Sequence, residues 1–173
     1  MTDSQTIERF RALFDEHAGT VYRFLFCLTG SADAADELAQ ETFVRAFQSF
    51  ASFEARSAPS TWLCGIARNV ALHHFRSERQ RGRVFDRDAA LERAGGGGPE
   101  RDLLSRELRD AIGAALLELD EEKRTAFTLK IVQQKSYEEI AAVTGAAIAK
   151  LKTDVHRARL QMRALLWRFR EET

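Results

Sequence analysis

The sequence predicts an all-α protein: two small helical domains joined by a flexible linker, the C-terminal one a helix-turn-helix. Three observations predict it. Among 173 residues, 26 Ala and 18 Leu stand against 7 Val and 6 Ile, a balance of strong helix formers over β-branched aliphatics. Apolar residues recur at helical rather than alternating spacing. The run Gly95-Gly96-Gly97-Gly98-Pro99 can neither continue a helix nor pack much, so it reads as a tether. The expected division is a first domain over 1–85, an acidic, glycine-bearing linker over 86–105, and a second domain over 106–173. A flexible linker of about twenty residues has an r.m.s. reach of roughly 25 Å.

Each element follows from its pattern. Ile7, Phe10, Phe14, Val21, Phe24, Leu25 and Leu28 share helical spacing that stops at Thr29-Gly30. Ser31 or Asp33 can cap the next helix. Its apolar stripe is Ala35, Ala39, Phe43, Ala46 and Phe50, and its opposite face carries Asp36, Glu37, Gln40 and Glu41. A turn around Pro59 precedes a third helix starting near Thr61. This helix runs through Trp62, Ile66, Val70 and His73 to the basic end Arg76, Arg79, Arg81 and Arg83. Ten of the 12 Phe precede the tether, enough for a substantial first core. Beyond it, helices are expected near Leu103–Leu119 and Lys123–Gln133, with two more around Gly145.

Charge and cysteine usage narrow the class. The formal net charge of zero conceals a partition: residues 86–122 carry 5 basic and 11 acidic groups, residues 123–173 carry 11 and 5. A basic terminal segment on a neutral chain points to a polyanion as partner for that end. No apolar run approaches the ~18 residues of a membrane span. The start, MTDSQTIERF, lacks the basic and apolar regions of an export signal, so a cytoplasmic setting is expected. Cys27 and Cys64 lie 37 positions apart without C-x-x-C spacing, which argues against a disulfide framework or a zinc ribbon. Cys64 and His73 fall nine positions apart on one expected helix, about 13 Å along its axis, too far to touch. Cys27 reads as a small core residue and His17 as a surface or interface histidine. No enzyme activity, metal, cofactor or small-molecule substrate is expected.

The most informative stretch runs from Ser136 to Arg159. Ser136 and Glu139 can form a capping box, and Gly145 suits the positive φ of a tight turn between helices. The helix after Gly145 is expected to bury Ile148, Leu151, Val155, Ala158, Met162 and Leu165. Its other face carries Lys150, Lys152, Thr153, His156, Arg157, Arg159 and Arg163. These are the parts of a helix-turn-helix whose second helix enters a major groove. An ordinary helical hairpin with a solvated basic face would share the pattern.

Ser-Tyr-Glu-Glu-Ile-Ala at 136–141, followed by Gly145, Lys152, Thr153 and His156-Arg157-Ala158-Arg159, resembles the promoter-reading domain of extracytoplasmic-function (ECF) sigma factors. The segment from Asp33 to Phe47 is similar to that family's polymerase-binding helix. Thr61-Trp62-Leu63, with Ile66-Ala67-Arg68-Asn69 and Ala71, is similar to its minus-ten-reading segment. The resemblance covers roughly residues 7–168. It implies a sigma-70-family factor that binds core RNA polymerase, through clamp and flap regions of the large subunits, and directs it to promoter DNA. It also implies an anti-sigma factor, often membrane-linked, that covers these surfaces. The two modules would then collapse around that partner, or against each other.

By the same resemblance, Asp36, Glu37, Gln40 and Glu41 would dock a basic surface on the polymerase, where complementary charge sets encounter rate and register. Ser60, Trp62, Arg68, Asn69, His73, Arg76 and Arg79 would meet the minus-ten element. There Asn69 would line the pocket of a flipped base, the arginines would touch phosphates, and His73 or His74 would contact phosphate or stack. Trp62 falls on the apolar stripe with Ile66 and Val70, which favours a core role. The loop Phe53–Ser60 would carry much of the base specificity. In the second module, Lys150, Thr153 and Arg157 would reach base edges of the minus-thirty-five element. His156 lies on the same face, and Lys152, Arg159 and Arg163 would hold phosphates. The acidic linker would thread toward the transcript exit path.

Four positions depart from the family pattern. Asp154 stands where a basic residue is common and would repel phosphate from a DNA-facing helix, although it could accept from a cytosine amino group. Lys150 replaces a small hydroxyl residue, and Cys64-Gly65 replaces a larger pair, the glycine weakening its helix by up to ~1 kcal/mol. The rival reading is a helix-turn-helix regulator that acts without polymerase. It explains the second module but not the two matches in the first.

Overall fold

In this computed structural model the described residues are 3–53, 57–82 and 101–167. Among them there is no strand, in line with the composition. The first module is α1 (Asp3–Thr29), α2 (Ala32–Ser49), a 3-10 turn (Phe50–Ser52) and α3 (Pro59–Gln80). The second is α4 (Arg101–Glu118), α5 (Glu121–Phe127) running into a π-helical turn (Thr128–Val132), α6 (Tyr137–Thr144) and α7 (Ile148–Leu165). The tether Gly95–Pro99, Arg83 and residues 54–56 of the loop before α3 lie outside the described residues. α4 starts at Arg101, so its first turn falls within the segment 86–105 expected as linker. No helix among the described residues is long and apolar enough to cross a membrane.

The helix ends obey local chemistry. α1 stops where Gly30 takes φ +66°, its N–H bonding back to the Phe26 carbonyl at 2.8 Å. Ser31, not Asp33, caps α2, its hydroxyl accepting from the Ala34 N–H at 3.3 Å. Pro59 opens α3 at a position where its missing N–H costs nothing, so the helix starts ahead of Thr61. Asp120 caps α5 through the Lys123 N–H at 2.9 Å. The helix expected over Lys123–Gln133 is divided: its second half is wound as the π-turn.

The three helices of the first module pack pairwise around Val21, Phe24, Leu25, Leu28, Leu63 and Val70. This buried cluster does not stop at the module boundary. It continues into Ala126, Leu129, Ile140, Val143, Leu151 and Val155 of the second module. Each fully buried Leu, Ile or Val contributes about 1.5–3 kcal/mol by leaving water, so a shared core is a strong reason for the modules to stay docked. A smaller cluster of Ala115, Leu116, Leu119, Ala158 and Met162 lies alongside, with Cys27 of α1 packed against it. The modules have thus closed against each other.

Polar groups fix the seam. Arg124 donates from Nε to the Leu116 carbonyl (2.9 Å), from Nη2 to those of Leu117 (3.2 Å) and Leu119 (2.9 Å), and from Nη1 to Leu28 (2.6 Å). One guanidinium therefore serves the C-terminal carbonyls of α4 and of α1, one helix from each module, with charge placed favourably for both helix dipoles. At Gly30 a Cβ would stand 2.6 Å from Leu117 Cδ1, so the second module presses on the α1–α2 turn.

Candidate nucleic-acid interface

The helix-turn-helix is built as its sequence requires. Ser136 Oγ accepts from the Glu139 N–H at 3.1 Å and Glu139 Oε2 accepts from the Ser136 N–H at 2.8 Å, completing the capping box. Gly145 takes φ +72°, and its N–H bonds to the Ala141 carbonyl at 2.8 Å, turning the chain into α7. On α7, Leu151, Val155, Ala158 and Met162 face inward. Leu165 does not: it is 40% exposed, because the stripe leaves the core at the last turn. Lys152, Thr153, His156, Arg157, Arg159 and Arg163 are all exposed, so one basic face runs the length of the helix. Lys152 Nζ stands 5.8 Å above the Tyr137 ring.

Asp154 corrects an expectation. It points inward beside Leu151 and Val155, and its Oδ2 accepts from Lys150 Nζ at 2.5 Å. A second carboxylate, Glu122 Oε2, accepts from the same ammonium at 2.8 Å. These bonds, that to Asp154 first, push the Lys150 pKa well above the ordinary lysine value.

In the first module, Asn69, His73 and Arg76 form one exposed stripe on α3, with Arg68 half-buried beside it. Trp62 is half-buried and stacks on Phe53 at 4.4 Å between ring centroids, a core-edge position. The remaining residues of the set are engaged across the seam. Ser60 Oγ accepts from Lys135 Nζ at 2.5 Å, and Arg79 Nη2 bonds to Glu121 Oε2 at 2.6 Å. Next to Ser60, the Thr61 hydroxyl donates to Glu139 Oε1 at 2.7 Å.

On α2, Asp36, Glu37 and Gln40 are exposed, while Glu41 is half-buried and paired with Arg45 at 2.5 Å. Sequence reasoning missed two members of this face. Val44 and Phe47, 57% and 47% exposed, continue the line of Glu37 and Gln40 at helical spacing. The signal was present: two large apolar residues off the buried stripe. The seam residues Glu121, Lys135 and Glu139 were also missed as contacts, since nothing local marks a partner 42 to 78 positions away.

The titratable groups at the seam are shifted in ways their surroundings explain. The Ser136 N–H, and after it the Thr61 hydroxyl, hold the Glu139 carboxyl below the usual range. Burial pushes the Cys64 and Cys27 thiols up to about 11, which leaves little thiolate at neutral pH. Among the described residues no cluster of His, Cys, Asp and Glu could hold a metal ion.

Comparison with known proteins accounts for both modules. Residues 13–81 match the family described as Sigma-70 region 2, and residues 109–162 the one described as Sigma-70, region 4. The RNA polymerase sigma factor YlaC of Bacillus subtilis is 30% identical over 92% of this chain and 93% of its own length. ECF RNA polymerase sigma factor SigX of the same organism is 32% identical over 95% and 87%. Among solved structures, the sigma factor RpoE of Bartonella quintana, in a complex with the anti-sigma factor NepR, superimposes with a TM-score of 0.71. It is 30% identical and covers 92% of this chain and 97% of its own. CnrH, 20% identical with a TM-score of 0.69, shares the fold. Two modules of the right kinds, in order and over nearly the whole length, place the chain in the ECF branch of the sigma-70 family, whose members bind core RNA polymerase and direct it to promoter DNA.

Proposed function

We propose that the docked form is the polymerase-free state of this sigma factor, and that its two modules part on core RNA polymerase to reach two promoter elements. The observation that carries it is the seam itself: Ser60, Thr61 and Arg79 of α3 bond to the second module. Elements about twenty base pairs apart are separated by roughly 70 Å of duplex at ~3.4 Å per pair. Modules 2.7 Å apart at Thr61 and Glu139 do not span that distance.

In the open form, the exposed stripe Asn69, His73 and Arg76 meets the minus-ten element, joined by Arg68, Arg79 and Ser60 once the seam is released, with Trp62 supporting the helix from behind. Thr153 and Arg157 read base edges of the minus-thirty-five element, flanked by His156, while Lys152, Arg159 and Arg163 hold phosphates. Asp36, Glu37, Gln40 and Glu41, with Val44 and Phe47, dock the polymerase clamp. The second module and the acidic linker lie toward its flap and transcript exit. The working division is 1–85, 86–105 and 106–173. The protein is a cytoplasmic binding factor rather than an enzyme, controlled by an anti-sigma factor. The similarity to RpoE, solved with its anti-sigma factor, supports that partner.

The test is capture of core polymerase by the purified chain, followed by start-site-specific transcription. Association and defined starts are expected. Duplex binding without either would turn the assignment to a regulator that acts alone.

A further inference from the structure

The start of α7 does not carry the charge its sequence implies. Lys150 is bracketed by Asp154, which is only 8% exposed, and by Glu122 from the first turn of α5. Asp120, the α5 cap, stands near enough to interact with Lys150 electrostatically, and it also pairs with Lys123. Three carboxylates thus face two ammonium groups, so this corner of the DNA-facing module is net negative. The uncompensated positive charge begins two residues later, at Lys152.

This rests on the reading that α7 enters the minus-thirty-five groove. A lysine used as a phosphate clamp must swing toward the backbone. For Lys150 that movement would strip a nearly buried carboxylate of the ammonium that bonds to it and leave its charge without that partner, which is strongly unfavourable. The two carboxylates would themselves repel an approaching phosphate. What they leave is one N–H of a three-donor ammonium, held in a fixed direction at the N-terminal end of the helix, the part that reaches base edges in this docking mode.

We propose that Asp154, assisted by Glu122, is a positioning residue for promoter specificity. It holds Lys150 as a fixed donor to a base acceptor, such as guanine O6 or N7, and withdraws it from phosphate neutralisation. The departure from the family pattern at position 154 then has a purpose: it converts a cation from a source of affinity into a source of discrimination.

The experiment uses holoenzyme assembled from core polymerase and the full chain. It measures binding to promoter duplexes over a salt series and base preference across a randomised minus-thirty-five element. Lys152→Ala is expected to lower the salt slope by about one. Lys150→Ala is expected to leave the slope unchanged and to reduce discrimination at one base position by about tenfold. Asp154→Asn, nearly isosteric, is expected to loosen the same position and steepen the slope by up to about one as Lys150 is released. Glu122→Gln, at an exposed residue, is expected to act in the same sense but more weakly. A slope lowered by Lys150→Ala as much as by Lys152→Ala, or a base preference untouched by both carboxylate variants, overturns the proposal. Arg157→Ala separates the two levels. If it too leaves minus-thirty-five dependence intact, the placement of α7 itself fails.

Discussion

The two helices assigned to DNA differ in what already touches them. α3 is engaged at both ends: Ser60 by Lys135, Thr61 by Glu139 and Arg79 by Glu121, all from the second module. The basic face of α7, from Lys152 to Arg163, is turned to solvent. Lys150, paired with Asp154 and Glu122, is held within its own module. The difference teaches where control can act. On the proposed function, the ends of α3 meet carboxylates and an ammonium where they would later meet nucleic acid, whereas the basic face proposed to read duplex is already exposed. On that reading, separation of the modules rather than refolding of either would free Ser60, Thr61 and Arg79.

The largest effect on this asymmetry is expected from Arg124→Ala. It removes hydrogen bonds to four carbonyls, one of them in the other module. Charged hydrogen bonds are worth about 1.5–3 kcal/mol each when fully counted, but one guanidinium shares its charge among all four. A loss of roughly 2–3 kcal/mol in urea unfolding is expected, with a larger radius of gyration by small-angle scattering. If neither the midpoint nor the radius moves, the α1–α4 junction does not hold the closed form.

A smaller and more selective change is Gly30→Ala. Both Gly30 and Gly82 take φ +66°, so an added Cβ strains either backbone by about 1–2 kcal/mol. At Gly30 it also strikes the second module, at Leu117; at Gly82 no atom of the described residues stands within 4 Å. The difference between the two variants therefore isolates module contact from backbone strain. Gly30→Ala should be the more destabilising, by the cost of displacing one leucine side chain. Equal effects would show that Leu117 gives way freely.

The sequence was informative about what is local. Ser31, Ser136 with Glu139, and Gly145 each announce a helix end by chemistry that acts within a few residues, and all act in that way, whereas Pro59, read as a turn, opens α3 itself and the Asp120 cap was not read at all. The buried stripe of α7 was readable as far as Met162 and misread at Leu165, because periodicity does not reveal where a neighbouring helix stops. Asp154 was misread for a related reason. A carboxylate beside Lys152 and Thr153 looks solvent-facing until the i to i+4 bond with Lys150 turns it inward. The closed seam was least legible: its partners are far apart in sequence, and charge segregation suggested only that the halves could attract. Of the candidate site, the basic face of α7 and the stripe on α3 were readable; the masking of Ser60 and Arg79 was not.

The most delicate test concerns Glu139, which serves two masters: it closes the α6 capping box and accepts the Thr61 hydroxyl across the seam. Its carboxyl is held below the usual range by the Ser136 N–H and then by Thr61. A group whose pKa is depressed by folding adds stability above its unfolded value and loses it as pH falls through the folded one. Docking should therefore be intact at neutral pH and weaken only on the acid side of the ordinary carboxylate range. Cys64 is a suitable reporter, because it is fully buried in the shared core and close enough to Lys135 and Glu139 to feel both charges. In a Cys27→Ser background, its reaction with a pyridyl disulfide, which works in acid, reads seam opening. Thr61→Val removes one part-buried hydrogen bond, about 1 kcal/mol, so labelling at neutral pH should rise about fivefold. Glu139→Gln should flatten the acid-induced rise, since no proton is then taken up at that carboxyl. An acid rise that persists undiminished in Glu139→Gln would move the control of opening to another carboxylate at the seam, with Glu121, the partner of Arg79, the next to replace.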